Sequence, residues 1–120
     1  MGYKLTSFEQ LDSWKYSQEL SVYIYKITKG FPKEEQFGIT NQLRRSSSSI
    51  SANIAEGFGR STNKDKTHFY TIAYGSLLET KSFLYLSNKL EYLPVDILTE
   101  LIEQIVILQK IINASKKALS

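Results

Sequence analysis

Residues 95–119 read VDILTELIEQIVILQKIINASKKAL and carry the clearest structural pattern in the chain. Apolar residues, with one serine in register, alternate three and four positions apart: Leu98, Leu101, Ile105, Leu108, Ile112, Ser115 and Leu119. This spacing places them on one face of an α-helix. Because such a face is stable only against other helices, the stretch predicts a helix over 96–119 within a helical bundle.

Three other segments have helical periodicity, and the predicted helices span 12–29, 34–56 and 64–90. Gly30 and Pro32 separate the first two, since glycine favours a helix end and proline favours a helix start. Gly57 and Gly59 are predicted to end the second helix. Four helices with short connections predict one all-α domain, an antiparallel up-down four-helix bundle.

The composition excludes several function classes. The chain has no cysteine and one histidine, His68, which rules out thiolate chemistry and multi-histidine metal centres. It has no Walker-type phosphate loop, so we predict no enzyme, no metal site and no cofactor. Charges such as Glu100, Glu103 and Lys110 interrupt the apolar segments, so we expect a cytoplasmic protein without a membrane partner. The net charge of +3 mildly favours an anionic partner.

The second predicted helix contains an unfavourable run, Ser46 to Ser49, followed by Ser51. Serine hydroxyls compete for backbone hydrogen bonds, so this run needs compensation. A polar ridge follows one side of the helix and consists of Gln42, Ser46, Ser49 and Asn53. We interpret it as a packing seam against helix three, with Asn53 bonding across the bundle and Gly75 allowing close approach.

Basic residues cluster at and beyond the same helix. The three arginines of the chain, Arg44, Arg45 and Arg60, lie in one short stretch, and Lys64 and Lys66 follow. Guanidinium groups bind phosphate through two parallel hydrogen bonds, so these five residues are the candidate nucleic-acid-binding set. The alternative is a solvated rim with weak ion pairs to carboxylates such as Glu56 or Asp65.

The runs Gln42 to Arg45, Ser49 to Gly57 and Gly59 to Arg60 closely resemble the S23 family, the bacterial 23S rRNA intervening-sequence proteins. The likeness covers most of the chain, although Ser46 stands where the family usually has alanine. The resemblance implies a four-helix bundle that forms homo-oligomers, with pentamers known. It also favours contact with RNA or DNA at Arg44, Arg45 and Arg60, and it implies no known catalysis.

Two functional hypotheses follow. The first is a non-catalytic, oligomeric accessory protein whose arginines contact phosphates of RNA or DNA, with the preference between the two left open. The alternative is a homo-oligomeric scaffold that binds another protein and makes no direct contact with nucleic acid.

Overall fold

The computed structural model describes residues 5–120. These residues form four α-helices and no strand, which confirms the predicted all-α fold class. The helices are α1 Asp12–Thr28, α2 Ile39–Phe58, α3 Asn63–Lys89 and α4 Val95–Ala118. Short 3-10 helices at Phe8–Gln10 and Lys33–Glu35 precede α1 and α2.

Hydrogen bonds between side chains show that α1 and α2 run antiparallel. In the first half of α1, Gln18 donates to Ser51 in the second half of α2. At the other end, Arg44 in the first half of α2 donates to Thr28, the last residue of α1. The same reversal of order relates α2 to α3 in the hydrogen-bonded pairs Ser46 with Thr80 and Ser49 with Ser76.

The fourth helix closes the bundle by packing against both α3 and α1. A short connection at residues 90–94 reverses the chain, and Gln109 of α4 then donates to the hydroxyl of Tyr74 in α3. Tyr23 of α1 donates to Glu100 of α4. The four helices therefore alternate in direction around a bundle 49 Å long.

The predicted stripe of α4 supplies the centre of the core. Five large aliphatic residues of the stripe are at most 7% exposed, and these are Leu98, Leu101, Ile105, Leu108 and Ile112. Burying one such side chain stabilises the fold by about 1.5–3 kcal/mol. Ser115 and Leu119, at the far end of the stripe, are only half-buried because the bundle ends there.

The second helix begins later than the predicted 34–56. α2 starts at Ile39 because Gly38 has φ −106° and ψ −119°, outside the helical region. The Glu35 carboxylate accepts a hydrogen bond from the Ile39 amide at 3.3 Å and one from the Tyr92 hydroxyl at 2.9 Å. A Cβ on residue 38 would collide with that carboxylate, so glycine makes this helix cap possible. The other three helices begin and end within one residue of their predicted bounds.

The close approach between α2 and α3 occurs at a different glycine from the predicted one. Gly57 lies inside α2, which ends at Phe58, and it is buried. A Cβ on Gly57 would lie 2.8 Å from Cε1 of Tyr70 and 3.0 Å from Cβ of Phe69. Gly75 is exposed, and a Cβ there would meet no atom within 4 Å. The close approach assigned to Gly75 was therefore wrong.

Candidate nucleic-acid interface

Arg44 is built into the contact between α1 and α2. Its Nε donates to Oγ1 of Thr28 at 2.9 Å, and its Nη2 donates to the carbonyl of Tyr25 at 3.3 Å. The guanidinium carbon also lies 4.8 Å from the centre of the Tyr25 ring. Tyr25 and Thr28 belong to the last turn of α1, where a cation is favoured by the helix dipole. Arg44 therefore holds the end of α1, and its Nε and one Nη2 hydrogen bond are engaged there.

Arg45 points to solvent on the other side of α2. Its side chain is 64% exposed and its Nη2 donates to Oε1 of Gln42 at 2.9 Å. The nearest carboxylate oxygen, on Glu79 of α3, is 3.9 Å away and its side chain is 44% exposed. An ion pair this exposed contributes little stability, so a phosphate can compete for Arg45.

Arg60 follows the end of α2 and is held over an aromatic ring. Its guanidinium carbon lies 4.5 Å from the centre of the Phe69 ring in α3. Nη2 of Arg60 donates to Oε1 of Glu56 at 3.3 Å, and both side chains are about half exposed. The ring restrains the guanidinium plane, while the exposed pair with Glu56 leaves its other donors in solvent.

The two lysines of the predicted set have different environments. Lys64 is exposed in the first turn of α3. Lys66 donates from Nζ to the carbonyl of Phe58 at 2.6 Å and lies 5.4 Å from the centre of that ring. It therefore caps the last turn of α2, where carbonyl groups lack helical partners. Because its ammonium group is engaged in this contact, Lys66 is less available than Lys64 to bind a phosphate.

The structure divides the predicted set into two groups. Arg45 lies near the start of α2, whereas Arg60 follows its end, and fifteen helical steps place them about 22 Å apart. Lys64 lies on the same end of the bundle as Arg60, because a short connection joins α2 to α3 there. The predicted basic residues are close in sequence, but they do not form one continuous basic patch on the structure.

The last turn of α4 contributes two lysines that are not in the set predicted from the sequence. Lys116 lies 5.8 Å from the centre of the Tyr74 ring in α3, and Lys117 is exposed beside it. All three carboxylates of α4 precede all three of its lysines in sequence. The antiparallel packing places the lysine end of α4 beside the first half of α3. We call Arg60, Lys64, Lys116 and Lys117 the basic end.

The basic end also carries carboxylates. Glu56 pairs with Arg60, and Asp65 lies in the first turn of α3, where its amide donates to Oγ1 of Thr62. Asp65 therefore stabilises the positive end of the α3 dipole. His68 is exposed and packs edge-on against Phe69, with ring centres 5.4 Å apart.

The polar ridge joins helices, although one of its predicted contacts was wrong. The Ser46 hydroxyl lies 2.8 Å from that of Thr80, and Ser76 donates to Ser49 at 2.9 Å. These bonds give the small hydroxyls partners at the contact between α2 and α3. Asn53 does not bond across the bundle. Its amide donates to the carbonyl and hydroxyl of Ser49 in its own helix. Gln42, the remaining ridge residue, accepts from Arg45.

Within residues 5–120, no three His, Asp or Glu side chains are grouped so that they could hold a metal ion. In the same part of the chain, no helix combines the length and apolarity needed to cross a bilayer. The geometry of this end of the bundle is that of a basic, aromatic-lined surface.

A sequence model of the 23S rRNA-intervening sequence proteins matches residues 9–114. The chain belongs to this family. A crystal structure of an S23 ribosomal protein family member of unknown function, from Bacteroides thetaiotaomicron VPI-5482, is similar in fold. Its sequence is 25% identical, the TM-score is 0.81, and the match covers 88% of this chain and 95% of that one. No curated protein matches this chain.

Proposed function

We propose that this chain is a non-catalytic, cytoplasmic, homo-oligomeric accessory protein that contacts RNA or DNA phosphates through its basic end. The observation that supports this most is Arg60, whose exposed guanidinium is restrained over Phe69 close to the start of α3, where Lys64 lies. A restrained guanidinium loses less conformational entropy when it binds a phosphate. Membership of a family described by its 23S rRNA intervening sequence is consistent with a nucleic-acid partner.

Phosphate can replace the existing partner of Arg60. The pair with Glu56 is exposed on both sides, at 43% and 56%, so solvent screens it. A phosphate also accepts two parallel hydrogen bonds from a guanidinium, and contact with a nucleic acid releases the counterions condensed on its phosphates. Arg45, 64% exposed, is a second contact of the same kind nearer the start of α2. Arg44 is assigned to the fold because Thr28 and Tyr25 already accept from it.

Assembly raises the affinity that one chain can reach. A net charge of +3 supports only weak binding by a single copy. Several copies on one nucleic acid gain avidity, because each later contact is intramolecular. The family resemblance favours a pentamer. Native mass spectrometry at the concentration of the binding assay measures the subunit number, and a monomer there would contradict this part of the proposal.

The test is a salt series with a labelled RNA hairpin and a DNA duplex of equal length, followed by fluorescence anisotropy. Removing two phosphate contacts with Arg60→Ala and Lys64→Ala lowers the magnitude of the slope of log K against log salt by about 1.8 for each engaged chain. The matched control is Lys33→Ala with Lys89→Ala, two exposed lysines at the opposite end of the bundle. Equal loss of slope in both double variants would refute the assignment to the basic end.

A protein-interaction scaffold is the second candidate, favoured by exposed apolar side chains at the other end of the bundle. Phe37 is 88% exposed and Val95 is 68% exposed, in the neighbourhood of the Glu35 and Tyr92 contact. Exposed apolar residues of this size are common at protein interfaces. Purification from native cells with and without nuclease separates the two functions. Partners that survive nuclease, together with no RNA or DNA binding at low salt, support the scaffold.

A further inference from the structure

A groove of about 720 Å³ runs between α1 and α2, and neither Arg60 nor Lys64 of the basic end lines it. Its α1 wall extends from Trp14 to Lys29, a distance of about 22 Å along the helix. That is four helical turns, the length over which an added helix could follow α1 and α2.

The α2 side of this groove is made of small residues. Ser48, Ser51, Ala52 and Ala55 line it at intervals of three and four, so they occupy one face of the helix. Ser48 and Ala52 are exposed, and no other helix within residues 5–120 covers them. Small side chains allow a third helix to pack with a shorter distance between the helix axes.

One polar group in the groove lacks a partner. Ser21 of α1 lines the groove and is 9% exposed, and its Oγ has no hydrogen bond. Neighbouring serines in the bundle donate to carbonyls or hydroxyls, as Ser17 does to Trp14 at 2.9 Å. A buried hydroxyl without a partner is unfavourable, and a bound segment with a donor or acceptor would relieve this cost.

The groove selects for charge as well as shape. Of the described residues that line it, Lys26 and Lys29 are the only charged ones, and both are exposed toward the end of α1. Its walls are apolar and partly exposed, with Val22 at 53% and Tyr25 at 42%. We propose that this groove binds an acidic amphipathic α-helix of a partner protein, with its apolar face on Val22 and Ala52 and its carboxylates at Lys26 and Lys29. This proposal does not depend on nucleic-acid binding.

The single tryptophan of the chain, Trp14, lines the groove and reports on its occupancy. The probe is a synthetic amphipathic peptide of about 16 residues, long enough for four turns, with glutamates in the turns that would lie at Lys26 and Lys29. A second peptide has lysines in place of those glutamates. The acidic peptide is expected to change Trp14 fluorescence with about tenfold higher affinity than the lysine peptide, since two ion pairs form and two repulsions are avoided.

Two variants test the site directly. Lys26→Glu with Lys29→Glu is expected to reverse the preference between the peptides. The control is Lys89→Glu with Lys110→Glu, two exposed lysines of α3 and α4 that do not line the groove, and it is expected to leave the preference unchanged. Ala52→Leu fills the groove from an exposed position and is expected to weaken the acidic peptide more than tenfold, with thermal unfolding measured to confirm that the fold is retained. Equal binding of both peptides, or full binding to Ala52→Leu, overturns the proposal. Loss of a homo-oligomer on Ala52→Leu also overturns it, because the groove would then be an interface between copies.

Discussion

Alanine at Gly57 tests the close contact between α2 and α3. The added Cβ would lie 2.8 Å from Cε1 of Tyr70 and 3.0 Å from Cβ of Phe69. The Phe69 Cβ is attached directly to the α3 backbone, so rotating a side chain cannot relieve that contact. Overpacking of this kind costs about 1–3 kcal/mol. Alanine returns about 1 kcal/mol in helix propensity, which leaves a net loss of up to about 2 kcal/mol.

Gly75→Ala is the matched control, because the same substitution there meets open space. Gly75 is exposed within α3, so alanine is expected to stabilise the fold by up to about 1 kcal/mol through helix propensity alone. Urea unfolding followed by circular dichroism measures both changes in the free energy of unfolding. In a domain of this size, 1 kcal/mol moves Tm by about 4 °C.

The two alanine variants must shift stability in opposite directions. If both stabilise the protein, α2 and α3 are not as close at Gly57 as described. If both destabilise it equally, the difference in space at the two glycines has no energetic effect, and a steric conflict specific to Gly57 is refuted.

Two further predictions concern contacts outside the core. Arg44→Ala is expected to lower the free energy of unfolding by about 1–2 kcal/mol because a charged donor leaves two acceptors, whereas Arg45→Ala should change it by less than about 0.5 kcal/mol. Urea unfolding distinguishes them, and equal effects would contradict the structural role of Arg44. The hydrogen bond to Glu35 raises the pKa of Tyr92 above its usual 10.0, and burial of the phenol and the negative charge of Glu35 raise it further. A raised pKa favours the neutral phenol in the folded state. The contribution of Tyr92 to the free energy of unfolding is therefore fully present below pH 10 and is lost as pH rises through the folded pKa. Stability should therefore fall less steeply above pH 10 in Tyr92→Phe than in wild type, and identical alkaline slopes would refute the coupling.

The helices were predictable where burial alone determines the pattern. Leu101, Ile105 and Leu108 are fully buried at the positions that their spacing indicates. The start of α2 was not predictable in this way. Glu35 precedes the helix and caps it, held by Tyr92 from a connection 57 residues away. Such a contact exists only after the chain has folded, so no local pattern contains it.

The candidate site was harder to predict for the same reason. Adjacent arginines, Arg44 and Arg45, have opposite environments, because successive helical residues point about 100° apart and only Arg44 meets α1. Lys66 resembled a free cation in the sequence but caps α2. Lys116 was missed because its proximity to α3 depends on the antiparallel packing of α4.

The order of charges along α4 has a consequence for the approach to a partner. Asp96, Glu100 and Glu103 precede Lys110, Lys116 and Lys117, so negative and positive charge lie toward opposite ends of the helix. Such a separation gives α4 an electric dipole moment formed by its side chains. The field of a polyanion exerts a torque on this dipole before contact, turning the lysine end toward the polyanion. Orientation during diffusion increases the association rate, and dissolved salt reduces that gain by shortening the range of the field.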